Sequence, residues 1–225
     1  MLARVPPDYT KAEYLSVAVI HVSGIALALI GAPILITLAA VWIGHAGITT
    51  ALVIYGVTLV AMLTCSALYN MVTIPRWNDR LRRIDQSAIY LKIAGTYTPF
   101  VALSGVSAGW FLAGIWSVAI GGASMILLAR GPLKLLSIAL YLALGWAGFA
   151  WGAEFMGALS TPGFVLLVIG GCLYTAGVGF LLWERLPFHN TIWHVFVLAA
   201  TAVLYSAVAV EMVRQAGSVA SPALG

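Results

Sequence analysis

The chain has 225 residues, of which 62% are hydrophobic and only 8% charged. Soluble domains carry about 25% charged residues, so this composition excludes a water-soluble enzyme or regulator and indicates one polytopic membrane domain of all-α class. The net charge of +4 is explained by loop placement and gives no reason to expect nucleic acid as a partner.

No secretory leader is read at the start. The first apolar run follows Pro6, Pro7, Asp8 and Glu13, exceeds the length of a leader's apolar core and lacks a small-residue cleavage site, so the first helix is expected to be retained. Seven apolar runs follow at about 14–43, 48–71, 86–104, 108–129, 133–153, 163–183 and 190–213, each near the roughly 20 residues a helical span requires. Turn residues divide them: Gly44 and Gly47, Pro75, Gly105 and Gly109, Gly131-Pro132, Thr161-Pro162-Gly163, and Pro187. Pro33 is expected to kink the first helix. Cys65 and Cys172 lie within apolar runs and read as packing residues rather than a disulfide pair.

Lysine and arginine set the orientation. Arg4, Lys11, Arg76, Arg80, Arg82, Arg83, Arg130, Lys134 and Arg185 fall on one side, Arg214 on the other, and Lys92 inside the third run. The positive-inside rule then places the N-terminus in the cytoplasm and, after seven spans, the C-terminus outside. The expected location is the inner (plasma) membrane, crossed many times, with membrane lipids as the surroundings. Trp42, Trp110 and Trp151 would form an outer aromatic belt, and Trp77, Trp183 and Trp193 an inner one. Gly163, Gly170 and Gly177, like Gly114 and Gly121, recur every seven residues and read as close-packing faces within the bundle.

Polar residues are sparse, and their depth in the spans is informative. Glu13 and His21 share a face of the first helix, Ser66 and Asn70 a face of the second, and Asn190 and His194 a face of the seventh. With Asp85 at the foot of the third, they can converge near the cytoplasmic face. Lys92 lies about 10 Å further along from Asp85 on nearly the same side. It is expected either to snorkel back and pair with Asp85 or to contact a ligand or ion in a polar cavity. Glu211 and Arg214 are spaced to pair on the last turn.

The strings S-A-L-Y-N at 66–70 and R-I-D-Q-S-A-I-Y-L-K-I-A-G-T-Y-T-P-F at 83–100 resemble the hemolysin III family. That family is the bacterial branch of the progestin/adiponectin-receptor-like seven-helix membrane proteins. The resemblance implies a zinc site near the cytoplasmic face. Its ligands are a second-helix histidine and an H-x-x-x-H pair on the seventh helix, accompanied by a serine, an aspartate and an E…H motif on the first helix. Glu13, His21, Ser66, Asp85 and His194 match those positions. Asn70 and Asn190 stand where two ligand histidines belong, and Val17 stands where the family often has Asn. An amide oxygen is a weaker zinc ligand than imidazole, so His194 is the one matched metal ligand, with His189, His21 or Asp85 as candidate co-ligands and zinc disfavoured.

The resemblance implies a channel-like or cytolytic membrane protein, or one serving membrane homeostasis, with a polar pocket. A wide pore would need a homo-oligomer, because few charged residues line these helices. The alternatives are an intramembrane metal-dependent hydrolase of lipid amides or esters, with Asp85 and Ser66 as catalytic groups, and a receptor-like sensor that binds a lipid without turning it over. The structural alternative for the same residues is a hydrogen-bonded cluster joining helices.

Overall fold

The computed structural model describes residues 10–72, 74–129, 131 and 133–220, and the described residues form nine helices and no strands. They are α1 (Lys11–Trp42), α2 (Ala46–Met71), α3 (Pro75–Ser104), α4 (Gly109–Leu128), α5 (Lys134–Gly145), α6 (Ala147–Trp151), α7 (Ala153–Ala158), α8 (Thr161–Leu182) and α9 (His189–Ala220). Arg4, Pro6, Pro7, Asp8, Arg130 and Pro132, named above, lie outside the described residues.

Local chemistry explains the ends. Thr10 and Glu13 form a reciprocal capping box at the start of α1. His45 caps α2 by accepting the Ile48 N–H, Pro75 opens α3, and Ser160 caps α8 by accepting the Gly163 N–H. Gly44 and Gly105 take left-handed φ values of 67° and 71° directly after their helices, a conformation that favours glycine.

The chain is a multi-pass membrane protein. α1, α2, α4, α8 and α9 are each long and apolar enough to cross a bilayer. Their outer surfaces carry large apolar side chains, with Val41 72% and Leu128 80% exposed, as a lipid-facing surface requires.

Two regions differ from the run boundaries read in the sequence. Arg76, Arg80, Arg82 and Arg83 are not in a turn but in the first turns of α3, which Pro75 starts early. The run 133–153 is not one helix, for it breaks after Gly145 and again at Gly152 to give α5, α6 and α7. The first break is spliced from outside. The Tyr97 hydroxyl of α3 donates to the Gly145 carbonyl at 2.6 Å and accepts the Gly148 N–H at 3.0 Å. A discontinuous helix persists in lipid only where protein groups satisfy the freed backbone, and one tyrosine meets that need twice.

α3 is the centre of the bundle. It packs on α2, α4, α5, α7 and α9, and residues 94–101 are buried on every side. A helix apolar or neutral all round belongs in a core. At Gly95 a Cβ would collide with the Thr58 side chain, so glycine is what lets α2 come this close. The seven-residue glycine spacing on α8 is the α8–α9 seam, with Gly163 under Glu211, Gly170 under Leu204 and Gly177 under Phe196. Gly114 and Gly121 on α4 meet nothing within 4 Å and form no seam inside the chain, contrary to the expectation from spacing.

Glu211 and Arg214 pair at 2.8 Å, as their spacing suggested, and Glu211 is fully buried. Its other oxygen accepts from the Ser160 N–H at 2.9 Å and hydroxyl at 2.6 Å, fastening the start of α8 to the end of α9. Lys134 and Glu184 pair across the start of α5 and the turn after α8, and Lys134 holds the Glu184 carboxyl below the usual carboxylate range. Cys65 and Cys172 are both free thiols, but Cys172 faces outward rather than into the bundle.

Tyr97→Phe should strip partners from two backbone groups at the α5–α6 break and cost about 1–3 kcal/mol for each group left dry. Thermal unfolding in detergent would register this as a clear fall in midpoint. An unchanged midpoint would mean that the break is held by something other than this hydroxyl.

Candidate functional site

The polar residues predicted to converge meet where α1, α2 and α9 approach one another. Glu13 serves the rim: besides its capping bonds to Thr10, it accepts the Phe188 N–H at 2.9 Å, tying the start of α1 to the turn before α9. Phe188 takes a left-handed φ of 59° there, and α9 begins at the next residue, His189. His189 therefore precedes Asn190 on the same helix.

The centre is a hydroxyl between two imidazoles. Ser66 Oγ lies 3.2 Å from His21 Nε2 and 3.3 Å from His194 Nε2. His21 Nδ1 bonds the Val17 carbonyl at 2.8 Å and His194 Nδ1 bonds the Asn190 carbonyl at 2.7 Å. A carbonyl only accepts, so each Nδ1 carries a proton and, in the neutral rings, each Nε2 presents a lone pair to Ser66. The hydroxyl has one proton and serves one ring at a time. All three side chains are buried, and the two rings lie 4.4 Å apart, centroid to centroid.

Asn70 and Asn190 hold each other. Asn190 Nδ2 donates to Asn70 Oδ1 at 3.0 Å, and Asn70 Nδ2 donates to the Ser66 carbonyl at 2.9 Å. Where the resemblance implies two zinc ligands, an amide pair clasps α2 to α9.

Zinc does not fit this donor set. Two imidazole nitrogens face the site, both flank the same hydroxyl, and the amides are engaged with one another. Among the described residues no three His, Cys, Asp or Glu side chains gather into a ligand group, whereas zinc sites in proteins use three or four such ligands.

Lys92 does not turn back to Asp85. Its ammonium donates to the Tyr174 hydroxyl of α8 at 2.7 Å and lies 4.5 Å from the centre of that ring. Tyr174 in turn bonds Thr201 of α9 at 2.7 Å. Sequence reasoning marked Lys92 but missed Tyr174, Thr201 and Tyr97. A tyrosine or threonine in an apolar run gives no periodicity signal, and only the fold places these beside a lysine or a broken helix.

These groups border one large cavity of about 1270 Å³. Its polar wall includes Glu13, Ser66, Asn70, Asp85, Lys92 and His194, and its apolar wall includes Ile89, Ile93, Phe100, Met156, Leu167 and Leu204. His21 stands behind Ser66, outside this lining. Trp193, expected in an aromatic belt, faces the cavity instead. The α5–α6 break contributes Gly145 and Trp146 to the wall.

Residues 10–205 match the family model described as "Haemolysin-III related". The chain is 36% identical to the Hemolysin-3 homolog of Bacillus subtilis (strain 168) over 199 residues, 88% of this chain and 93% of the relative. It is 38% identical to Hemolysin-3 of Bacillus cereus over 165 residues, 72% and 75% of the two chains. It is also 31% identical to the human Monocyte to macrophage differentiation factor over 169 residues, 69% of this chain and 67% of that one.

The donor set predicts a metal content. Protein purified without added metal should hold well under one zinc per chain, and Asn70→His combined with Asn190→His should raise this to about one. Elemental analysis of both proteins checks it. Stoichiometric zinc in the unaltered protein would contradict the donor assignment.

Proposed function

The chain belongs to the haemolysin-III-related family, and from that premise we propose that it is a membrane-homeostasis protein that binds a membrane amphiphile in its internal cavity. The observation that carries this reading is the cavity itself, about 1270 Å³ with a polar wall and an apolar wall. Ligand sites are concave, mostly apolar and furnished with a few placed polar groups. Along α3 the lining runs from Pro75 to Phe100, about 37 Å of helix at 1.5 Å per residue. One leaflet's acyl chain occupies about half of a roughly 30 Å hydrocarbon core, so the length suffices. The broken helix in the wall supports the same reading, because irregular backbone at membrane depth is tolerated where it lines a cavity.

In this reading the bundle has seven spans in the inner (plasma) membrane, with the N-terminus cytoplasmic and the C-terminus outside. The five long apolar helices are joined by the apolar half of α3 and by the broken α5–α7 segment. Lys11, Arg76, Arg80, Arg82, Arg83, Lys134 and Arg185 then share the cytoplasmic side, next to anionic headgroups.

A hydrolytic reading is favoured by one arrangement, the Ser66 hydroxyl between two imidazole lone pairs, with Asp85 on the same cavity. The membrane-lysing reading is carried by the names of the Bacillus relatives.

Binding of a fluorescent neutral acyl probe to the detergent-purified protein tests the proposal. Ile93→Trp, which fills the cavity, should weaken binding by at least about tenfold. Equal binding by both proteins would overturn the cavity reading. Free acid released from an ester-linked probe would favour hydrolysis, and dye leakage from vesicles carrying the pure protein would favour lysis.

A further inference from the structure

Lys92 is 5% exposed, lies within the bundle and lines the cavity. Its partners are neutral: the Tyr174 hydroxyl and the face of the same ring. Among the described residues it takes part in none of the ion pairs, which join Arg82 to Asp79, Lys134 to Glu184 and Arg214 to Glu211. A buried ammonium within a membrane bundle ordinarily pairs with a carboxylate or marks a binding site. Among the described residues its three N–H groups make one hydrogen bond, to Tyr174, whose hydroxyl also shares a hydrogen bond with Thr201. Two donors remain for a group in the cavity.

From this geometry we propose that Lys92 binds the oxyanion of an acidic amphiphile, a carboxylate or phosphate head, whose acyl chain lies on the apolar wall towards Phe100 and Leu204. The proposal rests on the cavity reading above and names the ligand class for it. Charge places the head. Asp85 lies on the cavity about 10 Å back along α3, a carboxyl that offers an oxyanion no attraction, whereas the Lys92 ammonium attracts it. The apolar surface continues beyond Lys92, with Phe100 eight residues and about 12 Å further along α3. Arg82, Lys134 and Arg185 also line the cavity, but beside Glu13 and Glu184, and Arg82 and Lys134 are already held in ion pairs, so Lys92 is the cation placed to take the head. Tyr174 and Thr201 fix the ammonium from α8 and α9, which keeps its position independent of the ligand. An ammonium–oxyanion hydrogen bond is charge-assisted and roughly twice as strong as a neutral one, so the headgroup decides selectivity while the chain supplies burial.

Competition against the neutral acyl probe on the full chain in detergent tests this, with hexadecanoic acid, hexadecanol and a lysophosphatidic acid as competitors. In the unaltered protein the acids should compete at least about tenfold better than the alcohol. Lys92→Met should abolish that preference and leave hexadecanol within about twofold of its original strength, and Lys92→Arg should retain the preference. Whichever acid competes better identifies the source of the oxyanion as a free carboxylic acid or a phosphate head. Equal competition by acid and alcohol in the unaltered protein would overturn the Lys92 site while leaving the cavity reading intact. Failure of all three to displace the probe would instead defeat the cavity reading.

Discussion

A polar atom at membrane depth has no water to turn to, and leaving it unpaired costs several kcal/mol. That constraint organises this bundle. One helix break and two helix ends are answered by side chains from other helices. Tyr97 answers the α5–α6 break, Glu211 answers the start of α8, and Glu13 answers the turn before α9. The same constraint makes the remaining polar groups informative. The Ser66 hydroxyl faces two imidazole lone pairs with one proton, and Lys92 has neutral partners only. Both lie on the cavity wall.

The string from Ile93 to Phe100 explains why one short segment carries so much of the fold. Ile93 and Phe100 face the cavity. Gly95 admits Thr58 of α2, Tyr97 splices α5 to α6, and the Thr98 hydroxyl accepts the Trp116 N–H of α4 at 3.1 Å. Thr96 returns its proton to the Lys92 carbonyl at 2.8 Å. Each residue type answers a different neighbour, so substitution anywhere in the string would disturb a different contact of the central helix.

Much of this was legible in the sequence because length, apolarity and spacing are local quantities. The helical class, the turn glycines Gly44 and Gly105, the α8 glycine seam and the Glu211–Arg214 pair follow from them directly. Depth and helix-face arguments also brought Ser66, Asn70, Asn190 and His194 to one place. Other features depend on which helices become neighbours. Gly114 and Gly121 have the same spacing as the α8 glycines but face outward, with none of the described residues against them within 4 Å. Lys92 could reach Asp85 by register alone, yet Tyr174 from a helix far along the chain is nearer. The split of the run 133–153 was hidden because its residues are as apolar as a continuous span, and the cause of its stability lies in α3.

The central claim is that the cavity holds a membrane amphiphile. Mass spectrometry of lipid retained by the protein, purified gently from its own membrane and washed until loosely bound lipid is gone, tests it most directly. The account predicts about one acyl-bearing acidic molecule per chain, as a single site would hold, and its loss from Ile93→Trp. Retention of nothing beyond what the cavity-filled variant keeps would contradict it.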